Sequence, residues 1–283
     1  MTRLKTSDIC DISSHLADYD YKLKTITGQS LMGIVSHAYG LDETRLINQI
    51  KTFCVHVIPV TAGQGVISNF SQTVFTILKY LGFDSVVTDQ SDTSGLASAF
   101  EQKTDAVMMA DDNRFVGINL HTHKVVDNCE ATGRVFAAAL DLMAAGLKDR
   151  DILVMGCGPV GEAAAKMFLE LGARVALYDC NLSQAASLQK KLFNDLKNYR
   201  IRVEEDVATK FSKYRYILEA TPSKNTIPDE LIFDHMLVAA PGVPLGISEN
   251  GCKVLKNRLI HDKLELGVAA MAADLVSIQN QGE

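Results

Sequence analysis
The sequence predicts an α/β protein, with a C-terminal Rossmann dinucleotide-binding domain and an N-terminal α/β substrate domain preceded by helices. Three observations predict it. The apolar run Ile152-Leu153-Val154-Met155 enters a G-x-G-x-x-G turn, Gly156-Cys157-Gly158-Pro159-Val160-Gly161, which opens a helical pattern and leads to a second apolar run ending at Asp179. An earlier run, Phe53 to Val60, passes likewise through Thr61-Ala62-Gly63-Gln64-Gly65 into a helical segment that starts at Phe70. Short apolar runs then alternate with helix-compatible segments along the rest of the chain, which is the pattern of a mostly parallel sheet.

Taken in order, residues 1–50 carry no strand signal. Ile9, Ile12, Leu16, Tyr19 and Leu23 recur at helical spacing, and Leu31, Ile34, Val35 and Ala38 do so again before a stop at Gly40. The strand at 53–60 and the helix from Phe70 to Leu81 follow, then strands at 85–88 and 106–110 with a helix around Leu96 to Phe100 between them. Gly133 to Gly146, with Val135, Phe136, Ala138, Ala139, Leu142 and Met143, reads as the helix connecting the two domains. After the Rossmann turn come a helix at 183–196, strands near 216–220, 236–240 and 259–261, a helix at 248–255, and an alanine-rich helix at 267–278 able to fold back on the first domain. The expected division is therefore 1–132, 133–266 and 267–283.

The glycine turn needs its residue types. Gly156 permits the tight turn, Gly158 lets backbone N–H groups approach a pyrophosphate, Gly161 lets the helix approach the strand, and the diphosphate sits on the helix N-terminus beside Pro159 and Val160. Asp179, near the expected ~20 residues downstream, is placed to accept from a ribose 2′-OH and to repel a 2′-phosphate, with Cys180 beside it and no adjacent Arg. NAD is thus the expected cofactor. A glycine-rich turn that binds nothing is the bland alternative, and the acid speaks against it.

Composition removes several classes. Hydrophobic residues make 47% of the chain and charged residues 22%, ordinary globular usage that argues against disorder. A net charge of −6 without a basic face argues against nucleic acid. Six cysteines form no C-x-x-C pair, the first residues show no basic stretch leading into an apolar segment, and no apolar run reaches the ~18 residues of a membrane helix. A cytoplasmic protein with free thiols and no membrane contact is expected. His121-Thr122-His123 lacks a nearby partner set in sequence, so no metal is expected.

In open parallel sheets ligands collect beyond the carboxyl ends of the strands. Four segments occupy such ends: Val60 to Gly65, Met109 to Asn113, Glu219-Ala220-Thr221-Pro222, and Ala240-Pro241-Gly242-Val243-Pro244. The last two fall where Rossmann dehydrogenases pass backbone beneath the nicotinamide ribose, although plain strand-ending turns would read the same way. The pair Asp111-Asp112 fits a catalytic acid and a turn or helix cap equally well from spacing alone, and Asn128 reads as a turn residue by the same logic.

The ordered strings Ile58-Pro59-Val60-Thr61-Ala62-Gly63-Gln64-Gly65, Leu81-Gly82-Phe83-Asp84-Ser85, Met109-Ala110-Asp111-Asp112-Asn113, Thr132-Gly133, Glu219-Ala220-Thr221-Pro222-Ser223-Lys224-Asn225-Thr226-Ile227-Pro228 and Pro241-Gly242-Val243-Pro244 resemble the pyrrolysine-forming dehydrogenase family. The resemblance runs from about Leu23 to about Met271. It implies an NAD-dependent oxidation of the terminal amine of 3-methylornithinyl-lysine, followed by ring closure with loss of ammonia. It implies further that Asp111 and Asn128 are the catalytic pair, that Val60, Thr61, Ala62 and Gly63 line the substrate, and that the glycine turn, Asp179, Cys180, Ala220, Thr221, Pro222, Pro241 and Gly242 hold the cofactor. The family often has Ser at Ala62, so only the backbone role of that turn carries over. Residues 128–133 also depart from the family pattern between their ends. A hydride transfer from an amine-bearing carbon needs that amine deprotonated, the work of a nearby carboxylate such as Asp111. Oligomeric state stays open, a homodimer among the options. Two other readings stand beside this one: another NAD-dependent amino-acid or hydroxy-acid dehydrogenase, and a non-catalytic dinucleotide sensor.

Overall fold
A computed structural model describes residues 4–197 and 200–277. Four helices come first: α1 (Thr6–Ile9), α2 (Ile12–Thr27), α3 (Leu31–Tyr39) and α4 (Glu43–Ile50). Asp42 starts the last of them, its Oδ1 accepting from Arg45 N–H at 2.7 Å. Then follow β1 (Cys54–Val57), a 3-10 turn (Gly63–Val66), α5 (Phe70–Tyr80), β2 (Asp84–Val87), α6 (Asp92–Glu101), β3 (Ala106–Ala110), β4 (Phe115–Asn119), β5 (Val125–Asp127) and α7 (Asn128–Met143). The second half runs β6 (Asp151–Met155), α8 (Pro159–Glu170), β7 (Arg174–Tyr178), α9 (Leu182–Leu196), β8 (Ile201–Val203), α10 (Val207–Lys210), β9 (Tyr216–Glu219), β10 (Leu237–Ala239), α11 (Glu249–Leu255), β11 (Leu259–Ile260) and α12 (Glu265–Val276).

The described residues form two compact units. One comprises residues 22–30 and 132–263, the other residues 4–21, 31–131 and 264–277. The first unit holds a six-stranded, wholly parallel sheet of order β11-β10-β9-β6-β7-β8, the doubly wound Rossmann order. Its central strands are buried on both faces, which is why β6 reads as an unbroken apolar run, and Leu153, Met155, Ala176, Ile217 and Val238 form the core. The second unit holds a mixed five-stranded sheet of order β2-β1-β3-β4-β5. There β1 pairs in parallel with β2 and β3, while β3–β4 and β4–β5 are antiparallel.

Several elements differ from their expected bounds. Helix α7 begins at Asn128, ahead of Gly133, because Asp127 caps it: Oδ1 accepts from Cys129 N–H at 2.9 Å. Strand β1 stops at Val57, so Ile58 to Val60 already belong to the turn. Strand β8 and helix α10 escaped the pattern because they are three and four residues long. The expected end of the last helix at Ile278 lies outside the described residues. Helix α12, buried from Leu266 to Val276 apart from a half-buried Asp274, packs on α3, α5 and β4 within the second unit. Lys124 Nζ meets Asp274 Oδ1 at 2.7 Å, and Asn119 Nδ2 donates to Leu275 O at 2.9 Å.

Candidate active site
In the Rossmann unit the glycine turn leaves β6 with Gly156 at φ +91°, a conformation that favours glycine, and its carbonyl seats against Gly161, where a Cβ would collide with it. Gly158 is different. It is the N-cap of α8 at φ −77°, exposed, and a Cβ there would meet no protein atom within 4 Å. Protein packing does not demand glycine at this position; the open space over the helix N-terminus does suit a phosphate group. Pro159 occupies the first helical position, where its missing N–H costs nothing, and no side chain caps the turn. The residues present therefore fit a dinucleotide.

Asp179, directly after β7, ties this turn down. Its Oδ2 accepts from Cys157 N–H at 2.8 Å and its Oδ1 from Asn181 N–H at 2.9 Å, so each oxygen keeps further acceptor capacity. Cys157 is buried beside it, and burial followed by the Asp179 charge pushes its thiol up to about 12, which keeps it protonated and unreactive at neutral pH. Cys180 is exposed.

The other two Rossmann turns meet over one buried side chain. Glu219 closes β9 with no exposed surface, and burial raises its carboxyl above the ordinary range against the pull of its hydrogen bonds. Its Oε1 accepts from Thr221 N–H at 3.0 Å, from the Thr221 hydroxyl, and from Thr226 Oγ1 at 3.1 Å; its Oε2 accepts from Gly246 N–H at 3.3 Å. Ala220 sits against Gly156, Pro222 is exposed, and Pro241 and Gly242 are buried, Gly242 N–H donating to Glu219 O at 3.1 Å.

In the other unit the strand directions place the carboxyl ends of β1, β3 and β5 along one edge of the sheet. The predicted substrate residues gather there. Gly63, at φ +58°, lies against the Asp111–Asp112 backbone so closely that a Cβ would come within 2.5 Å of the Asp111 carbonyl carbon. Asp111 forms an Asx turn: Oδ1 accepts from Asn113 N–H at 2.7 Å and Arg114 N–H at 2.8 Å. Those bonds, led by Arg114, hold its carboxyl below the ordinary range, so it is ionised at neutral pH. Arg114 Nε in turn donates to Asp127 Oδ2 at 3.0 Å, which joins the Asp111 turn to the start of α7 at Asn128. Val60 is half-buried and Ala62 exposed. Thr61 is anchored by Asp92, which accepts from its N–H at 2.9 Å and its hydroxyl at 2.7 Å.

A family model described as Pyrrolysine biosynthesis protein PylD, N-terminal domain, matches residues 8–126, and one described as Alanine dehydrogenase/PNT, C-terminal domain, matches residues 131–237. The chain is 32% identical over 276 residues to the pyrrolysine synthase of Methanosarcina barkeri, covering 96% of this chain and 97% of that one. This chain belongs to the pyrrolysine synthase family. The Methanosarcina acetivorans pyrrolysine synthase is likewise 32% identical, over 96% of this chain and 98% of its own. Among solved structures, the quinate dehydrogenase of Corynebacterium glutamicum in complex with NAD shares the fold at 13% identity and a TM-score of 0.57, over 80% of this chain and 93% of that one. As a member of the pyrrolysine synthase family the chain is an oxidoreductase enzyme, and the resemblance read from its strand-end strings is borne out.

In this pyrrolysine synthase relative several site residues were not legible as such. Asp92, the first residue of α6, holds Thr61, and Arg114, in the loop before β4, holds Asp127, positions that their local sequence does not single out. Glu219 stood in a quoted string, yet nothing in its spacing tells that its side chain turns inward to Thr226 and Gly246. His121 pairs with Asp105 at 2.8 Å, and among the described residues no three His, Cys, Asp or Glu side chains gather as a metal set. No helix among them is long and apolar enough to cross a membrane.

Proposed function
We propose that this enzyme uses NAD to oxidise the terminal amine carbon of 3-methylornithinyl-lysine, and that the resulting imine closes on the internal amine, with loss of ammonia, to give the pyrroline ring of pyrrolysine. The observation that supports it most is Asp111: an ionised carboxylate fixed through one oxygen, at a strand edge where Gly63 leaves it room and Asn128 begins the neighbouring helix. Bound at the glycine turn, NAD supplies the acceptor for the hydride that leaves the amine carbon. Asp111 pairs with the substrate ammonium and holds the reacting carbon in place. A carboxylate held below its ordinary range is a weak base, so its part is chiefly electrostatic, with the proton passing on to water. Asn128 adds a neutral donor and acceptor to the same amine. The Val60 to Gly63 backbone positions the chain of the substrate. Ring closure then needs proximity alone, because nucleophile and electrophile belong to one bound molecule.

The test is incubation of the protein with NAD and 3-methylornithinyl-lysine, following reduced cofactor by absorbance and product by mass. Loss of ammonia and two hydrogens from the substrate is expected. Turnover of simple amino or hydroxy acids in its place would favour a different dehydrogenase, and tight dinucleotide binding without any turnover would favour a sensor.

A further inference from the structure
The geometry points to Glu219 as a positioning residue: through its buried carboxylate we infer that it fixes the two turns on which the nicotinamide half of the dinucleotide rests, an inference that rests on the NAD-dependent reading above. Four donors converge on it from three separate places in the sequence, namely the N–H and hydroxyl of Thr221, the hydroxyl of Thr226 and the N–H of Gly246. Space around it has been cleared on both sides. A Cβ at Gly242 would come within 2.7 Å of Oε2, and one at Gly246 within 2.6 Å of Cδ. Neither glycine has a positive φ, so close packing rather than backbone conformation excludes a side chain there: Thr221 O and Thr226 Oγ1 stand nearest, with the Glu219 carboxylate directly behind them. The carboxylate thus has a built seat inside the unit.

Its effect reaches the glycine turn by contact. Ala220 follows Glu219 directly, and its carbonyl lies where a Cβ on Gly156 would meet it, 2.8 Å away. Ala220 N–H also donates to Met155 O at 2.8 Å, fastening the turn to β6. Thr221, Thr226 and Gly246 are therefore held relative to the pyrophosphate turn by one side chain, and Gly242 by the carbonyl of the same residue. Such a buried carboxylate is costly to keep in an apolar core, and burial does raise its pKa. A plain strand end would be served by an apolar residue; the donors collected here fix backbone geometry that apolar packing would leave loose.

The positioning role predicts damage confined to half of the cofactor. Glu219→Gln keeps size and one acceptor oxygen, but its amide must turn an NH2 toward an N–H donor. The variant is expected to bind NAD about tenfold more weakly, while ADP-ribose, which lacks nicotinamide, binds within about twofold of wild type. Fluorescence of bound NADH, which reports the surroundings of the nicotinamide ring, should shift toward that of free NADH. Thr226→Val removes one donor without changing the charge and should move the same readouts in the same direction by a smaller amount. It decides the matter if Glu219→Gln fails to fold. Equal loss of NAD and ADP-ribose in a folded variant, or unchanged NAD affinity and fluorescence in both variants, overturns the inference while leaving the NAD-dependent reading intact. A wild type that binds neither NAD nor ADP-ribose overturns both.

Discussion

At Asp111 both backbone donors fall on Oδ1, leaving Oδ2 to carry charge toward a ligand. That asymmetry makes Asp111→Asn a clean substitution, because an amide oxygen can accept the same two N–H bonds and keep the turn. Turnover should fall by much more than about tenfold, with NAD affinity unchanged; a variant retaining over a tenth of the wild-type kcat/KM would remove Asp111 from the chemistry. The pH dependence follows from the sign of its shift. A carboxyl held low is ionised above its ordinary range and loses its charge only as pH falls through the lowered value, so this group leaves kcat/KM flat above about pH 5. Asp179 carries a second expectation. With both oxygens bonded to the glycine turn and its own loop yet open to another donor, it should favour NAD over NADP by on the order of a hundredfold. Asp179→Ala should narrow that preference and weaken NAD binding twice over, since it also frees Cys157 N–H. Titration of both cofactors against both proteins checks it; equal wild-type affinities would show that the acid does not read the ribose.

Among the elements, the starts of β6, β7 and β8 are stapled by one carboxylate. Asp151 accepts from Arg174 Nη2 at 2.6 Å and from Arg202 at 3.1 Å, and these bonds, Arg174 first, hold its carboxyl low. With the pair partly exposed and screened by solvent, Asp151→Asn should cost about 0.5–1 kcal/mol. Because the shift is downward, that contribution is present above the unfolded value near ~3.9 and disappears as pH falls through the folded one, so thermal melts of wild type and variant should converge in acid. A gap in melting temperature that persists in acid would assign the loss to packing. The elements also show where sequence reading works. The strands β3, β6, β7 and β9 were legible because each combines a run of at least three buried residues with a turn at its end, and the helices α5 and α8 because each has an apolar stripe and a glycine stop. The early start of α7 was not, because the decisive event is a bond from Cys129 N–H to Asp127, which no periodicity records. The same holds for the candidate site: glycines and strand-end acids stand out in sequence, whereas Asp92, Arg114 and Glu219 act through partners distant along the chain.

For the molecule as a whole, the decisive piece is α12, which follows the last Rossmann strand yet belongs to the unit of the five-stranded sheet. Leu266, Val268, Met271, Leu275 and Val276 are buried in it, on the order of ten kcal/mol of apolar burial. That is comparable with the whole stability of about 5–15 kcal/mol for a domain. A chain ending at Lys263 should therefore keep its six-stranded sheet and lose the other. Limited proteolysis with mass detection should find cuts within 31–131 and protection across 151–260; equal protection of both would show the helix to be dispensable. The same arrangement imposes an order on birth at the ribosome. Strand β4, against which Leu275 packs at Gly117, emerges long before its covering helix has been translated. At about 5–20 residues per second the wait is on the order of ten seconds. The half of the enzyme made first is the half completed last, and through that interval its apolar face is an open invitation to a chaperone.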